Sequence, residues 1–235
     1  MSLKSSFIPA NRQLAALALG ALGLSAWQMA QTLFKIFPEA LPLAGLPVYL
    51  ISGLAGFAVL VALPGHFIRV IKSAGEGNDL AFNWRELTDV QNAIVAPAFK
   101  FLLIAFWSFL PVELYLALSV KNQGAPTPLA LMFLLLFSFI YFPMALLMMI
   151  STNKTMPSLL PSNVLEPIFK TFKKYISFLL FFWTIMLLPL IALLLWPIPF
   201  IGPLASSFIL LYLWTCGMHL LGSFYRKEKE RLNWQ

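Results

Sequence analysis

Inside the long apolar stretches of this chain, the residues most able to do chemistry are two histidines and one carboxylate: His66, His219 and Glu113. The histidines fall within about two turns of the same end of two separate apolar segments. Two imidazoles at one depth on different helices are the arrangement that ligates a haem axially. The plainer alternative gives each imidazole a backbone carbonyl or a headgroup water. Glu113 is the one carboxylate within an apolar segment, and an acid in a bilayer marks a proton or cation site unless it is paired. At about 1.5 Å per residue, it lies roughly 24 Å from the segment's start at Pro97. That depth is near the far headgroups, where Lys121 or Lys35 can neutralise it.

Signatures of other chemistries are missing. There is no His-Glu-x-x-His, no glycine-rich phosphate loop, no Gly-x-Ser-x-Gly and no cysteine pair, since Cys216 stands alone. No Lys or Arg falls in the middle of an apolar segment, which argues against a retinal-type Schiff base or a voltage sensor. Met144, Met148 and Met149 have a copper-like composition but read better as adaptable packing. The expectation is a chain with no catalytic residue, metal or cofactor.

The elements that must hold these residues follow from composition. Of 235 residues, 60% are hydrophobic and 11% charged, against about a quarter charged in a soluble domain. Sixteen Lys and Arg with nine Asp and Glu cannot clothe a soluble core of this size. The prediction is an all-α integral membrane protein, one transmembrane domain over residues 1–235. At about 20 apolar residues per span, six transmembrane helices are placed at about 14–36, 46–70, 97–119, 128–150, 175–196 and 200–222. The first is read as a retained span because no small-residue cleavage site follows it. Between the last two, the prolines of Trp196 to Pro203 predict a tight turn.

Orientation comes from the cations. Lys4, Arg12, Arg69, Lys72, Arg85, Lys100, Lys154, Lys170, Lys173, Lys174, Arg226, Lys227, Lys229 and Arg231 fall on one side of this topology, and only Lys35 and Lys121 on the other. Cytoplasmic loops hold Lys and Arg, so both termini are expected in the cytoplasm. The net charge of +7 is assigned to anionic phospholipid headgroups rather than nucleic acid, because no soluble basic face exists to carry the latter. Lys170, Lys173, Lys174, Arg226, Lys227, Lys229 and Arg231 are the candidate lipid-contacting cations.

Two cytoplasmic connections read as amphipathic interfacial helices. In the first, Leu80, Trp84, Leu87, Val90 and Ile94 recur at helical spacing, with Arg85, Glu86, Asp89 and Gln91 on the other face. In the second, Pro161 to Asn163 lead into Val164, Leu165, Ile168, Phe169 and Phe172, and Asn163 with Glu166 is spaced as a capping box. An internal repeat is also suggested. Leu63-Pro64, Phe101 to Trp107 and Leu110-Pro111 are echoed by Phe142-Pro143, Phe178 to Trp183 and Leu188-Pro189, at offsets of 76 to 79 residues. Ser138, Gln28 and Gln31 are expected to form interhelical hydrogen bonds.

Several stretches together resemble an uncharacterised family of bacterial polytopic inner-membrane proteins, related to domain-of-unknown-function and Yip-like multispan proteins. They are Ile71 to Trp84 with Pro97 beyond it, Tyr141 to Ala145, Pro161 to Asn163, and the tail from Leu220 to Trp234. The sequence departs from that pattern at Ala81-Phe82, where a proline is expected. The resemblance implies a six-span protein of the bacterial inner membrane and brings no activity or catalytic residue. The resulting expectation is a non-enzymatic protein that organises the membrane or a membrane complex, as a scaffold or accessory subunit, with a membrane-protein partner or a second copy of itself. The alternative is a small-solute or proton-coupled transporter using Glu113 and the proline-kinked helices. A transporter needs a polar path to the midplane, whereas a scaffold can be packed with Phe and Leu throughout.

Overall fold

The structure, a computed structural model, describes residues 45–77, 95–121, 125–195 and 201–232, with Ala21, Leu22, Ser25, Gln91, Ile198 and Trp234. Their regular structure is helical: α1 (Gly45–Glu76), α2 (Ala96–Lys121), α3 (Pro128–Thr152), α4 (Thr155–Leu159), α5 (Pro161–Lys170), α6 (Phe172–Leu187), α7 (Pro189–Ala192), a 3-10 turn (Leu193–Leu195) and α8 (Ile201–Leu232). Four helices are long and apolar enough to cross a membrane: Ala96–Lys121, Pro128–Thr152, Phe172–Ala192 and Ile201–Leu232. Each overlaps a predicted span. The predicted second span lies within α1, a helix of 32 residues. The first span lies outside the described residues apart from Ala21, Leu22 and Ser25, as does the first surface segment apart from Gln91.

Two predicted boundaries are corrected. The turn after the fifth span is closed by Ile198 N–H to Leu195 O (3.0 Å), and α8 begins at Ile201, so Pro203 belongs to the helix rather than the turn. A proline is tolerated there because the first N–H groups of a helix have no intrahelical acceptor. At its other end α8 runs ten residues past the predicted limit, to Leu232, so the charged tail continues the last apolar helix.

The second surface segment is a helix, α5, without the predicted capping box. Its N-cap is Leu160, and Pro161 occupies the first turn. Asn163 instead donates from Nδ2 to Pro157 O (3.2 Å), and Glu166 pairs with Lys170 (2.7 Å). The proline starts the helix two residues before Asn163, which removes Asn163 from the capping position.

Helix α8 packs against α1 on one side and α6 on the other, while α2 lies against both α1 and α3. Large side chains join α3 to α6. Every residue from Tyr141 to Met149 is buried, so this half of α3 is covered on all faces. A helix apolar all round belongs in an interior. Met144, Met148 and Met149 are part of that core.

Proline chemistry explains much of the aromatic packing. Pro143 has no N–H to offer the carbonyl of Phe139, four residues back. Trp183 Nε1 donates to that oxygen (3.0 Å), and its ring meets Phe139 edge-on at 4.5 Å. The adjacent carbonyl of Ile140 accepts from Tyr175 Oη (2.6 Å). The Met186 carbonyl also accepts an indole N–H, from Trp214 Nε1 (3.3 Å), although the carbonyl that Pro189 frees is that of Ile185. In an apolar interior a freed carbonyl needs such a donor, and a neighbouring aromatic supplies it while filling space. Ser138, by contrast, bonds Leu134 O within its own helix (2.9 Å), and the expected interhelical bond is not found among the described residues.

Candidate anion site at the basic end of the bundle

Helices α1 and α8 run parallel, since contacts rise together along both: Phe67 meets Trp214, Ile71 lies against Gly222, and Gly77 lies against Arg226. Gly222 makes the approach possible. A methyl on its Cα would overlap the Ile71 carbonyl oxygen and come within 2.7 Å of Ala74 Cβ. Small residues at such crossings let two backbones meet. The same contact sets the register of the polar residues beyond it.

Gly77, at φ +80°, ends α1 in the left-handed conformation that favours glycine. Arg226 Nη1 lies 2.7 Å from where a Cβ on Gly77 would be, which places the guanidinium at the negative end of α1. Between α1, α3 and α8 there opens a cavity of about 510 Å³, lined by Lys72, Glu76, Ser151, Tyr225, Arg226 and Lys229 beside an apolar wall that includes Ile71 and Leu147. Lys72, Arg226 and Lys229 form no ion pair among the described residues. Ser151 Oγ donates to Met148 O (3.1 Å). Three cations against one carboxylate leave the cavity positive, so its chemistry is that of an anion receptor.

The tail is held in place independently. Glu228, only 5% exposed, accepts from Lys174 Nζ at 2.6 Å and faces Arg231 Nε at 3.7 Å, the latter too long for a hydrogen bond. Tyr225 stacks on Trp234 (5.9 Å, 13° between planes). A buried carboxylate is tolerated only when paired, so this contact ties the end of α8 to the start of α6.

The seven candidate lipid-contacting cations therefore have different surroundings. Lys170 pairs with Glu166, and Lys174 and Arg231 converge on Glu228. Arg226 and Lys229 line the cavity. Lys173 and Lys227 are exposed. Lys72, Ser151 and Tyr225 were not singled out as site residues from the sequence. The available signal was Gly222 within an apolar helix, which marks a close backbone approach and hence which residues of α1 and α8 share a level.

The intramembrane candidates do not join this site. Glu113 is exposed on α2 and makes no ion pair with Lys121 among the described residues, while Lys35 lies outside them. His66 and His219 occupy the packed helices α1 and α8. Among the described residues, His66 Nε2 and His219 Nδ1 are buried without a hydrogen-bond partner. No group of three or more metal-ligating His, Cys, Asp or Glu occurs among the described residues.

Comparison with protein-family models, with curated proteins and with solved structures finds no match to this chain. The functional reading rests on the site itself.

Proposed function

We propose that this protein is a non-enzymatic multispan membrane protein that organises the bilayer or a membrane complex through its basic end. In this reading α1 and the segment near Ala21 complete six spans, and the basic end faces the cytoplasmic leaflet of a bacterial inner membrane. The observation that carries it is the contrast between the two parts of the molecule. The interior around α3 is filled by aromatic, methionine and leucine side chains, whose polar atoms are spent on carbonyls of neighbouring helices, and the polar cavity opens at the basic end. Packing of this kind supports a scaffold over a transporter with a polar route through the midplane.

The second surface helix supports the same reading. Val164 and Ile168 of α5 are buried, whereas Phe169 (70% exposed), Phe172 and the nearby Met156 (77% exposed) are presented outward beside Lys170 and Lys173. Apolar side chains flanked by lysines suit the headgroup boundary of an anionic leaflet.

The test is affinity purification of the full chain from native membranes, with a topology reporter fused after Gln235. The reading expects a cytoplasmic reporter and a stoichiometric membrane-protein partner or a second copy of the chain. A reporter on the outer face overturns the orientation. A chain that purifies alone, together with an uptake phenotype abolished by Glu113→Gln, overturns the scaffold in favour of the transporter.

A further inference from the structure

We propose that the cavity between α1, α3 and α8 is a binding site for a phosphate group, presented either by an anionic phospholipid headgroup or by a free phosphate ester. The inference deepens the proposed function and rests on the reading that this end of the bundle lies at a membrane surface.

Three features converge on that chemistry. Lys72, Arg226 and Lys229 are brought to one cavity of about 510 Å³ by the close approach at Gly222, and no carboxylate among the described residues pairs with any of them. Like charges held together repel, and an anion between them removes that repulsion. The guanidinium offers a planar fork and the two ammonium groups compact charge, which is the usual mixture for phosphate oxygens. The hydroxyls of Ser151 and Tyr225 line the same cavity and add neutral hydrogen-bonding groups. Finally, the wall is amphipathic. Ile71, Leu147 and Ile150 stand beside the charged groups, at the end of apolar helices of membrane-crossing length. A lipid places its phosphate and its first apolar carbons side by side in this way, whereas a free phosphate ester uses the polar wall alone. Glu76 opposes binding but leaves the cavity with more positive than negative charge.

The experiment uses the full chain in zwitterionic detergent micelles, with bound ligand counted by native mass spectrometry. One arm titrates short-chain phosphatidylglycerol, the other inorganic phosphate and glycerol phosphate. Lys72→Gln with Lys229→Gln, both exposed positions, is compared with Lys173→Gln with Lys227→Gln, which removes the same charge from the same end outside the cavity. We expect one saturable ligand per chain, weakened about tenfold or more in the cavity pair and by less than about twofold in the control pair. Saturation by phosphatidylglycerol that free phosphate does not displace identifies a lipid site, and displacement at similar concentrations identifies a free phosphate site. If the cavity pair does not yield a folded sample, Ser151→Ala with Tyr225→Phe is used, with an expected loss of about fivefold. Equal losses in the two lysine pairs, or no saturable ligand in either arm, overturn the site. Sedimentation with vesicles separates that failure from failure of the wider reading. A wild-type chain that still prefers phosphatidylglycerol vesicles to phosphatidylcholine vesicles keeps the basic membrane face, and one with no preference loses both.

Discussion

Replacing Gly222 by alanine tests the contact on which the basic end is built. An alanine in a helix is ordinarily better than glycine by about 1 kcal/mol, because glycine loses more backbone freedom on folding. At Gly222 that gain is opposed by a methyl that overlaps a main-chain oxygen, Ile71 O, lies 2.7 Å from Ala74 Cβ and reaches 3.0 Å from Ile71 C. None of these atoms can rotate away. Helices α1 and α8 must separate, and overpacking of this kind costs about 1–3 kcal/mol. Subtracting the propensity gain leaves a net loss of up to about 2 kcal/mol. Gly217→Ala, five residues earlier on the same helix, is the matched control. There the new methyl meets only the thioether end of Met186, which has rotamers to spare. It is expected to be neutral or stabilising by up to about 1 kcal/mol. Reversible unfolding of both variants in mixed micelles, titrated with a denaturing detergent, measures the difference. A Gly222→Ala protein as stable as Gly217→Ala would refute the close approach, and with it the register that brings Lys72 level with Arg226 and Lys229.

Three other outcomes are expected. Trp183→Phe should cost about 0.5–2 kcal/mol, because it leaves the Phe139 carbonyl without a donor; in a Pro143→Ala background, where residue 143 regains an N–H for that oxygen, the cost should fall, and an additive double-mutant cycle would sink the link between proline and indole. Glu228→Ala should detach the end of α8 from α6 and expose the tail to limited proteolysis before the bundle unfolds, with a stability loss of about 1–2 kcal/mol, kept modest because Lys174 is half exposed. Glu113→Gln should change stability by less than about 0.5 kcal/mol, since the side chain is exposed and unpaired among the described residues; a larger loss in the same micelle titration would point to a partner in the parts of the chain not described.

Much of the fold is legible without coordinates, because a span is a matter of length and apolarity read along the chain. Residues 97–119 and 128–150 differ from α2 and α3 by no more than two residues at either end. The site was legible only in part. The cations of the tail stand out in the sequence, but nothing in their order says that Lys174 is committed to Glu228 while Lys229 is left to a cavity. Ser151 and Tyr225 carry no signal of their own in the sequence. Asn163 and Glu166 had the spacing of a capping box, and the proline at 161 started the helix before either could act as one.

The division has a physical cause. Hydropathy, charge asymmetry and proline positions are one-dimensional properties, and the bilayer rewards them one segment at a time, so the sequence by itself determined an apolar helical chain with its cations gathered toward one end. Which helices touch, and at what register, depends on the fit of surfaces that are all apolar. In such a medium one absent Cβ, at Gly222, and the carbonyls near Pro143 outweigh any general pattern. Those contacts were decided only in three dimensions, and they turned scattered lysines, an arginine and two hydroxyls into a single cavity.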